Sequence, residues 1–194
     1  MSVELWLVRH GETLWSREGR LTGWSDPHIM AEGRGQAAEL RPWLSTGLFT
    51  GVYSSDLRRA ADTAWLAYGE PVLEPRLREL NFGALEGVKW SELETSVQEE
   101  LFAFDDFAAP DGESTRQMLE RLCGFFDSLA PGRYLCFCHG GPIRAVLRLL
   151  GQDRLVAPCT VAGVDWSDKK FLFLRGSEEM NREETALEKL DEPA

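Results

Sequence analysis

The chain has 194 residues, with 21 Lys and Arg against 32 Asp and Glu, and a formal net charge of −11. That length suits one domain able to bury a core without metal or disulfide staples, and the charge repels phosphate backbones and anionic membranes, so neither nucleic acid nor a membrane is an expected partner. The start, MSVELWLVRHGE, lacks a basic leader and a small-residue cleavage site, no stretch reads as a bilayer span, and four irregularly spaced cysteines make no disulfide framework, so a reducing cytoplasm is the expected compartment.

Residues 2–8 form an apolar run of strand length, and residues 11–27, rich in Gly, Ser, Thr and charge, read as a long loop of the kind that carries function. Ala37, Leu40, Leu44 and Leu48 keep helical spacing, although Pro42 would remove a backbone donor within that helix. Residues 51–54 make a second short strand. Asp56 is then placed to cap a helix whose Leu57, Ala60, Ala61, Ala64 and Tyr68 share one face, and residues 71–74 can form a third strand. Residues 90–107 have an irregular helical tendency that Pro110-Asp111-Gly112 breaks, after which Met118, Leu122, Phe125, Phe126 and Leu129 mark an amphipathic helix. YLCFC, residues 134–138, is an unbroken apolar run of the kind found in parallel strands buried on both faces. His139-Gly140-Gly141 closes it, and Ile143, Val146, Leu147 and Leu150 restart a helix. Residues 160–166 and 170–174 read as a hairpin, and the charged residues 176–194 as a frayed tail or loose helix. The fold expected is α/β: a mostly parallel sheet with helices on both faces, an antiparallel C-terminal edge, and a helical lid insertion at about 88–115 within a single domain, 1–175.

Arg9-His10 directly after the first strand, Arg58-Arg59 after the second and His139 directly after YLCFC occupy equivalent places. Ligands of open α/β sheets bind at the carboxyl ends of the strands, so these groups should converge, with Glu79 beyond the third strand as a fourth candidate. Two imidazoles, two or three guanidiniums and a carboxylate suit phosphoryl transfer better than acyl transfer. Arg forks bind phosphate oxygens bidentately while a histidine nitrogen attacks phosphorus. On this reading His10 is the nucleophile and Arg9 part of its phosphate clamp.

The same residues sit in LVRHGET (7–13), GRLTGWSD (19–26), SSDLRRAADTA (54–64), LRELNFGALEG (77–87), PDGES (110–114) and CHGGPIRA (138–145). Together, over residues 3–150, these motifs resemble the histidine phosphatase superfamily, which includes the cofactor-dependent phosphoglycerate mutases. The resemblance implies that His10 becomes phosphorylated, that Arg9, Arg59 and His139 hold the phosphate, and that Glu79 protonates the leaving oxygen and later activates water. It adds Ser16, Thr22, Gly23 and Gly140 as substrate contacts and implies neither metal nor cofactor. Ser16 stands where many relatives carry a phosphate-contacting Asn, and His28 and Met30 where relatives more often show Leu-Thr.

Each candidate has a blander reading. An isolated Arg-His pair is usually structural or solvated, His139 could be a satisfied core histidine, and Arg58 suits solvent or an acidic partner better than the site. Glu74 and Glu86 compete with Glu79, which its register four residues before Gly83 favours. Cys136 and Cys138 beside His139 mimic a metal cluster, but no second ligand pair appears, so buried thiols are expected. His28 reads as a loop residue, and Trp15 and Trp24 either wall the pocket or merely pack.

Two features favour a metal-independent phosphomonoesterase acting on a small phosphate ester. The chain is shorter than the glycolytic mutases, and residues 90–115 hold eight acids (Glu92, Glu94, Glu99, Glu100, Asp105, Asp106, Asp111, Glu113) with no Lys or Arg. If its carboxylates face the pocket, that lid would repel the bisphosphorylated intermediate a mutase must retain; the alternative is a helix whose acids simply face solvent. The HGG and PDGES stretches also resemble small bacterial phosphatases, including those assigned to α-ribazole phosphate. A mutase-type isomerase is the second reading. A noncatalytic phospho-ligand-binding regulatory protein is the third, which loss of His10 or Glu79 would have favoured. The oligomeric state is not legible.

Overall fold

In the computed structural model, which describes residues 2–176, the chain opens with strand β1 (Val3–Arg9), a helical turn α1 (Leu14–Arg17), and helices α2 (Ala31–Glu39) and α3 (Arg41–Ser45). Strand β2 (Gly51–Ser54), helix α4 (Arg58–Ala67) and the short strand β3 (Val72–Leu73) follow. Helices α5 (Thr95–Ala103) and α6 (Thr115–Phe126), strand β4 (Gly132–Cys138), helix α7 (Gly140–Leu149) and the hairpin β5 (Val161–Asp165) and β6 (Lys170–Arg175) complete it. Apart from Gly176, the charged segment 176–194 lies outside the described residues.

The strands form one sheet in the order β3-β2-β4-β1-β5-β6, parallel from β3 to β1 and antiparallel at β5 and β6. Strands β1 and β4 pair centrally from Val3 opposite Gly132 to Arg9 opposite Cys138. His10 and His139, the next residue of each, therefore leave neighbouring strands at the same level, and the His10 amide donates to the Cys138 carbonyl at 3.1 Å. Period-two alternation sends Leu5, Leu7, Tyr134, Cys136 and Cys138 into one core with Met118, Leu122, Phe126, Ile143 and Leu147. Val8, Leu135 and Phe137 enter a second core with Ala37, Leu40, Leu44, Ala64 and Ala67. Because both faces are covered by helices, the central strands read as continuous apolar runs. Among the described residues no helix is long and apolar enough to cross a membrane.

Several local expectations differ from the structure. The helix expected through Ala37, Leu40, Leu44 and Leu48 is two helices: Pro42 sits in the first turn of α3, where a missing N–H costs nothing, and Leu48 is exposed. Asp56 does not cap α4. It grips the Arg78 guanidinium through two bonds of 2.7 and 2.5 Å, a charge-assisted fork stronger than a single amide bond. The cap is supplied from the distant loop, where Asp26 Oδ2 accepts from the Arg58 amide at 3.1 Å. The helical tendency over 90–107 condenses into a 3₁₀ turn, Trp90–Glu92, and α5, which ends where Phe104 turns left-handed at φ 57°.

Candidate active site

His10 is buried at the end of β1, and its Nδ1 lies 2.8 Å from the Gly11 carbonyl. A carbonyl only accepts, so Nδ1 carries the proton and Nε2 keeps its lone pair. Burial foremost, then the charges of Arg59 and Arg9, hold the imidazole pKa well below its ordinary value. The ring is thus neutral, the nucleophilic form, at neutral pH. Gly11 is held in turn: its amide donates to Thr63 Oγ1 at 3.0 Å, and that hydroxyl donates to the Arg59 carbonyl at 2.6 Å. Thr63 thereby couples the loop that follows His10 to the helix that carries Arg59.

The His139 ring lies 5.2 Å from the His10 ring, centroid to centroid. Its Nε2 is 2.9 Å from Ser55 Oγ, while its Nδ1 is buried without a partner. Burial and the nearby Arg59 keep this imidazole well below its ordinary pKa too. Arg59 is fully buried, with Nη1 donating to the Ser25 carbonyl at 2.8 Å and Nη2 to the Gly23 carbonyl at 2.6 Å and that of Thr22 at 3.5 Å. Arg9 is anchored through Nη1 to the Val156 carbonyl at 2.5 Å. Both guanidiniums leave Nε buried and unpartnered. Among the described residues only four buried side-chain polar atoms lack a partner, and three are Arg9 Nε, Arg59 Nε and His139 Nδ1. Orphaned buried nitrogens are costly and rare, so three beside one imidazole mark a place for an anion.

Glu79 is buried beside them. Its Oε1 accepts from the Leu80 amide at 2.9 Å and its Oε2 from the Gly141 amide at 3.1 Å. Burial raises its pKa above the ordinary carboxylate value, against the opposing pull of those amides and of Arg59 and Arg9. Burial thus favours the protonated carboxyl, while the amides and guanidiniums favour the ionised one, so both forms have support in the site. Its backbone is pinned as well, the carbonyl accepting from Trp24 Nε1 at 3.0 Å and from Arg121 Nη2 at 2.8 Å. Arg121 is itself held by Glu113 at 2.7 and 2.8 Å. The rival carboxylates lie elsewhere: Glu86 accepts from the amides of Trp24 and Ser25 and fastens that loop, and Glu74 pairs with Arg76.

The structure thus brings together Arg9, His10, Arg59, Glu79 and His139. The other predicted contacts have framework duties. Thr22 and Gly23 lend carbonyls to Arg59, and the Ser16 hydroxyl exchanges bonds of 2.9 Å with the amide and carbonyl of Thr13, capping α1. Gly140, the first residue of α7, stands beside the Arg9 guanidinium. Arg58 and His28 are exposed. Ser55, Thr63, Gly141 and Arg121 were missed as site residues. The first three lie inside recognisable motifs, but Arg121 stands on α6 with no local signal. Cys136 and Cys138 are free buried thiols, each pushed up in pKa by burial, and among the described residues no group of three His, Cys, Asp or Glu could hold a metal ion.

A cavity of about 480 Å³ adjoins these groups, with Arg9, Glu79, Gly140 and Gly141 in its lining. The insertion contributes Trp90, Leu101, Phe102 and Phe104 to it, and none of the eight acids. The acidic lid facing the pocket is therefore corrected. Seven of those carboxylates are exposed, and the eighth, Glu113, is the partner of Arg121. Burying an unpaired carboxylate is costly whereas covering apolar surface is favourable, so Leu101 and Phe104 are buried, Phe102 and Trp90 form the exposed rim of the cavity, and the acids keep their water.

The sequence model of the histidine phosphatase superfamily (branch 1) matches residues 5–175, and the chain belongs to that superfamily. Its structure resembles that of phosphoglycerate mutase from Thermus thermophilus, with a TM-score of 0.83 and 48% identity over 88% of this chain and 97% of that one. It is 32% identical to the probable phosphoglycerate mutase GpmB of Cronobacter sakazakii, over 88% of each chain. It is also 34% identical to the metal-independent phosphoserine phosphatase of Arabidopsis thaliana, over 77% of this chain and 69% of that one.

Proposed function

We propose that this protein is a metal-independent phosphomonoesterase that passes the phosphoryl group of a small phosphate ester through His10 to water. The observation that carries the reading is the set of unpartnered nitrogens, Arg9 Nε, Arg59 Nε and His139 Nδ1, around an imidazole whose Nε2 is free. Phosphate oxygens accept from those groups, which stabilise the charge that spreads over the equatorial oxygens. His10 Nε2 attacks phosphorus in line as the ester oxygen leaves with the proton of Glu79. The ionised Glu79 then takes a proton from water, whose oxygen attacks the phosphohistidine, releasing phosphate and restoring both residues.

Hydrolysis is favoured over isomerisation because a mutase must also hold the second anionic group of a bisphosphorylated intermediate. Among the described residues, the cation lining the cavity besides Arg9 is Arg144. Its guanidinium is already engaged by Asp153 at 2.8 and 3.2 Å and by the Phe102 carbonyl at 2.7 Å. The four free thiols suit a reducing compartment, the cytoplasm.

Alkaline quenching during turnover should trap acid-labile phosphate on His10, and His10→Ala should abolish it. Phosphate release should persist in EDTA. Turnover lost in EDTA and restored by metal, or label on another residue, would overturn the mechanism. Isomerisation of 3-phosphoglycerate outpacing phosphate release would establish the mutase instead.

A further inference from the structure

We infer that the preferred ester carries an apolar, ring-bearing body, and that Phe102, Trp90 and Leu155 select it; the inference rests on the phosphomonoesterase reading above. These three large side chains line the cavity that Arg9 and Glu79 border, yet they stand 66%, 39% and 73% exposed. Apolar surface left in water beside a reactive centre is what a ligand body would cover, and covering it drives binding.

The rings are also prearranged. The Phe102 carbonyl accepts from Arg144, whose guanidinium lies 4.7 Å from the Phe104 ring centroid and 5.7 Å from that of Phe102. Asp153, beyond α7, holds that guanidinium in turn. The end of α5 is thereby tied to the wall opposite, so little ordering remains for binding to accomplish. The same commitment of Arg144 leaves a substrate carboxylate or second phosphate without a counter-charge, and a buried unpaired anion is strongly disfavoured. A volume of about 480 Å³ falls in the range of small-ligand sites, leaving room beyond the phosphate for a ring system.

The test compares 2-phenylethyl phosphate, O-phosphoserine and glycerol 3-phosphate. All three release alcohols rather than phenols, so differences report the body and not the leaving group. The phenylethyl ester should show kcat/KM at least about tenfold above the other two, chiefly through KM. Phe102→Ala and Leu155→Ser should each shrink that ratio several-fold. A preference for phosphoserine or glycerol phosphate, or a ratio unmoved in both variants, overturns the inference while phosphate release and labelling of His10 keep the phosphatase reading standing. Variants that change the oligomeric state and leave selectivity intact also overturn it, making this apolar rim a subunit contact. Absence of both phosphate release and label with every ester fells the underlying reading as well.

Discussion

Replacing Gly141 by alanine tests how closely the carboxyl of Glu79 is placed. Gly141 lies in the first turn of α7, and a Cβ built on it comes far inside 3.0 Å of Glu79 Oε1, with Cδ at 3.2 Å. Real Cβ atoms essentially never approach that closely, so the carboxyl must retreat by roughly 1 Å, and a misplacement of that order costs about 10²-fold in rate. General acid catalysis is worth about 10²–10⁴-fold in all, so the phosphorylation step of an alkyl ester should slow about 10²-fold, equivalent to roughly 2.7 kcal/mol. An aryl ester such as 4-nitrophenyl phosphate, whose leaving group needs little protonation, should slow far less. The assay is the burst of phosphohistidine formation under single-turnover conditions, which isolates this step from the later attack of water. Thermal unfolding serves as the control, because alanine favours a helix where glycine does not. Equal slowing of both esters, or an undiminished burst with the alkyl ester, would refute the assignment of Glu79 as the proton donor.

The pH profile of kcat/KM should be bell-shaped, since turnover needs neutral His10 and protonated Glu79: the rising limb should fall below 6.5, the falling limb above 4.5, and Glu79→Gln should remove the falling limb. In the unfolded chain His10 and His139 regain ordinary imidazole values, so as pH drops below 6.5 the unfolded chain binds protons first and stability is lost, by at most about 1.4 kcal/mol per pH unit for each histidine. Glu79 is shifted the other way and opposes this slope, so denaturant titrations of wild type against His139→Gln isolate the histidine; identical pH dependence in both would contradict it. Asp26→Ala should cost about 1 kcal/mol by uncapping α4 and should raise KM, because the same carboxylate stands 3.7 Å from Arg59. Arg121→Met should lower kcat more for alkyl than for aryl esters by loosening the Glu79 backbone, and a uniform loss would make Arg121 merely structural.

The positions of His10 and His139 were legible because each ends an apolar run, and such runs follow from burial on both faces of a central strand. Arg59 and Glu79 were legible as candidates from their places after the second and third strands, and the motif resemblance supplied their roles. Local chemistry alone left Glu79 in competition with Glu74 and Glu86, since three carboxylates near one another in sequence look alike until the chain shows which one is buried against Gly141 and which one holds the loop at Trp24. Arg121 was invisible for a related reason: besides Glu113, eight residues before it, its partners are the carbonyls of Arg76, Arg78 and Glu79, more than forty residues away.

By itself the sequence determined the α/β alternation, the residue types gathered at the carboxyl ends of the strands, and the superfamily those residues resemble. These are encoded in periodicity and in the chemistry of single side chains. Only the tertiary structure decided directions. Asp56 turned from the helix it precedes to the fork of Arg78, Asp26 reached across to cap that helix, and the insertion sent its rings toward the pocket and its acids toward water. Each outcome is a competition between partners distant in the chain, settled by which group loses least on leaving water, and that comparison exists only once the surrounding elements have packed.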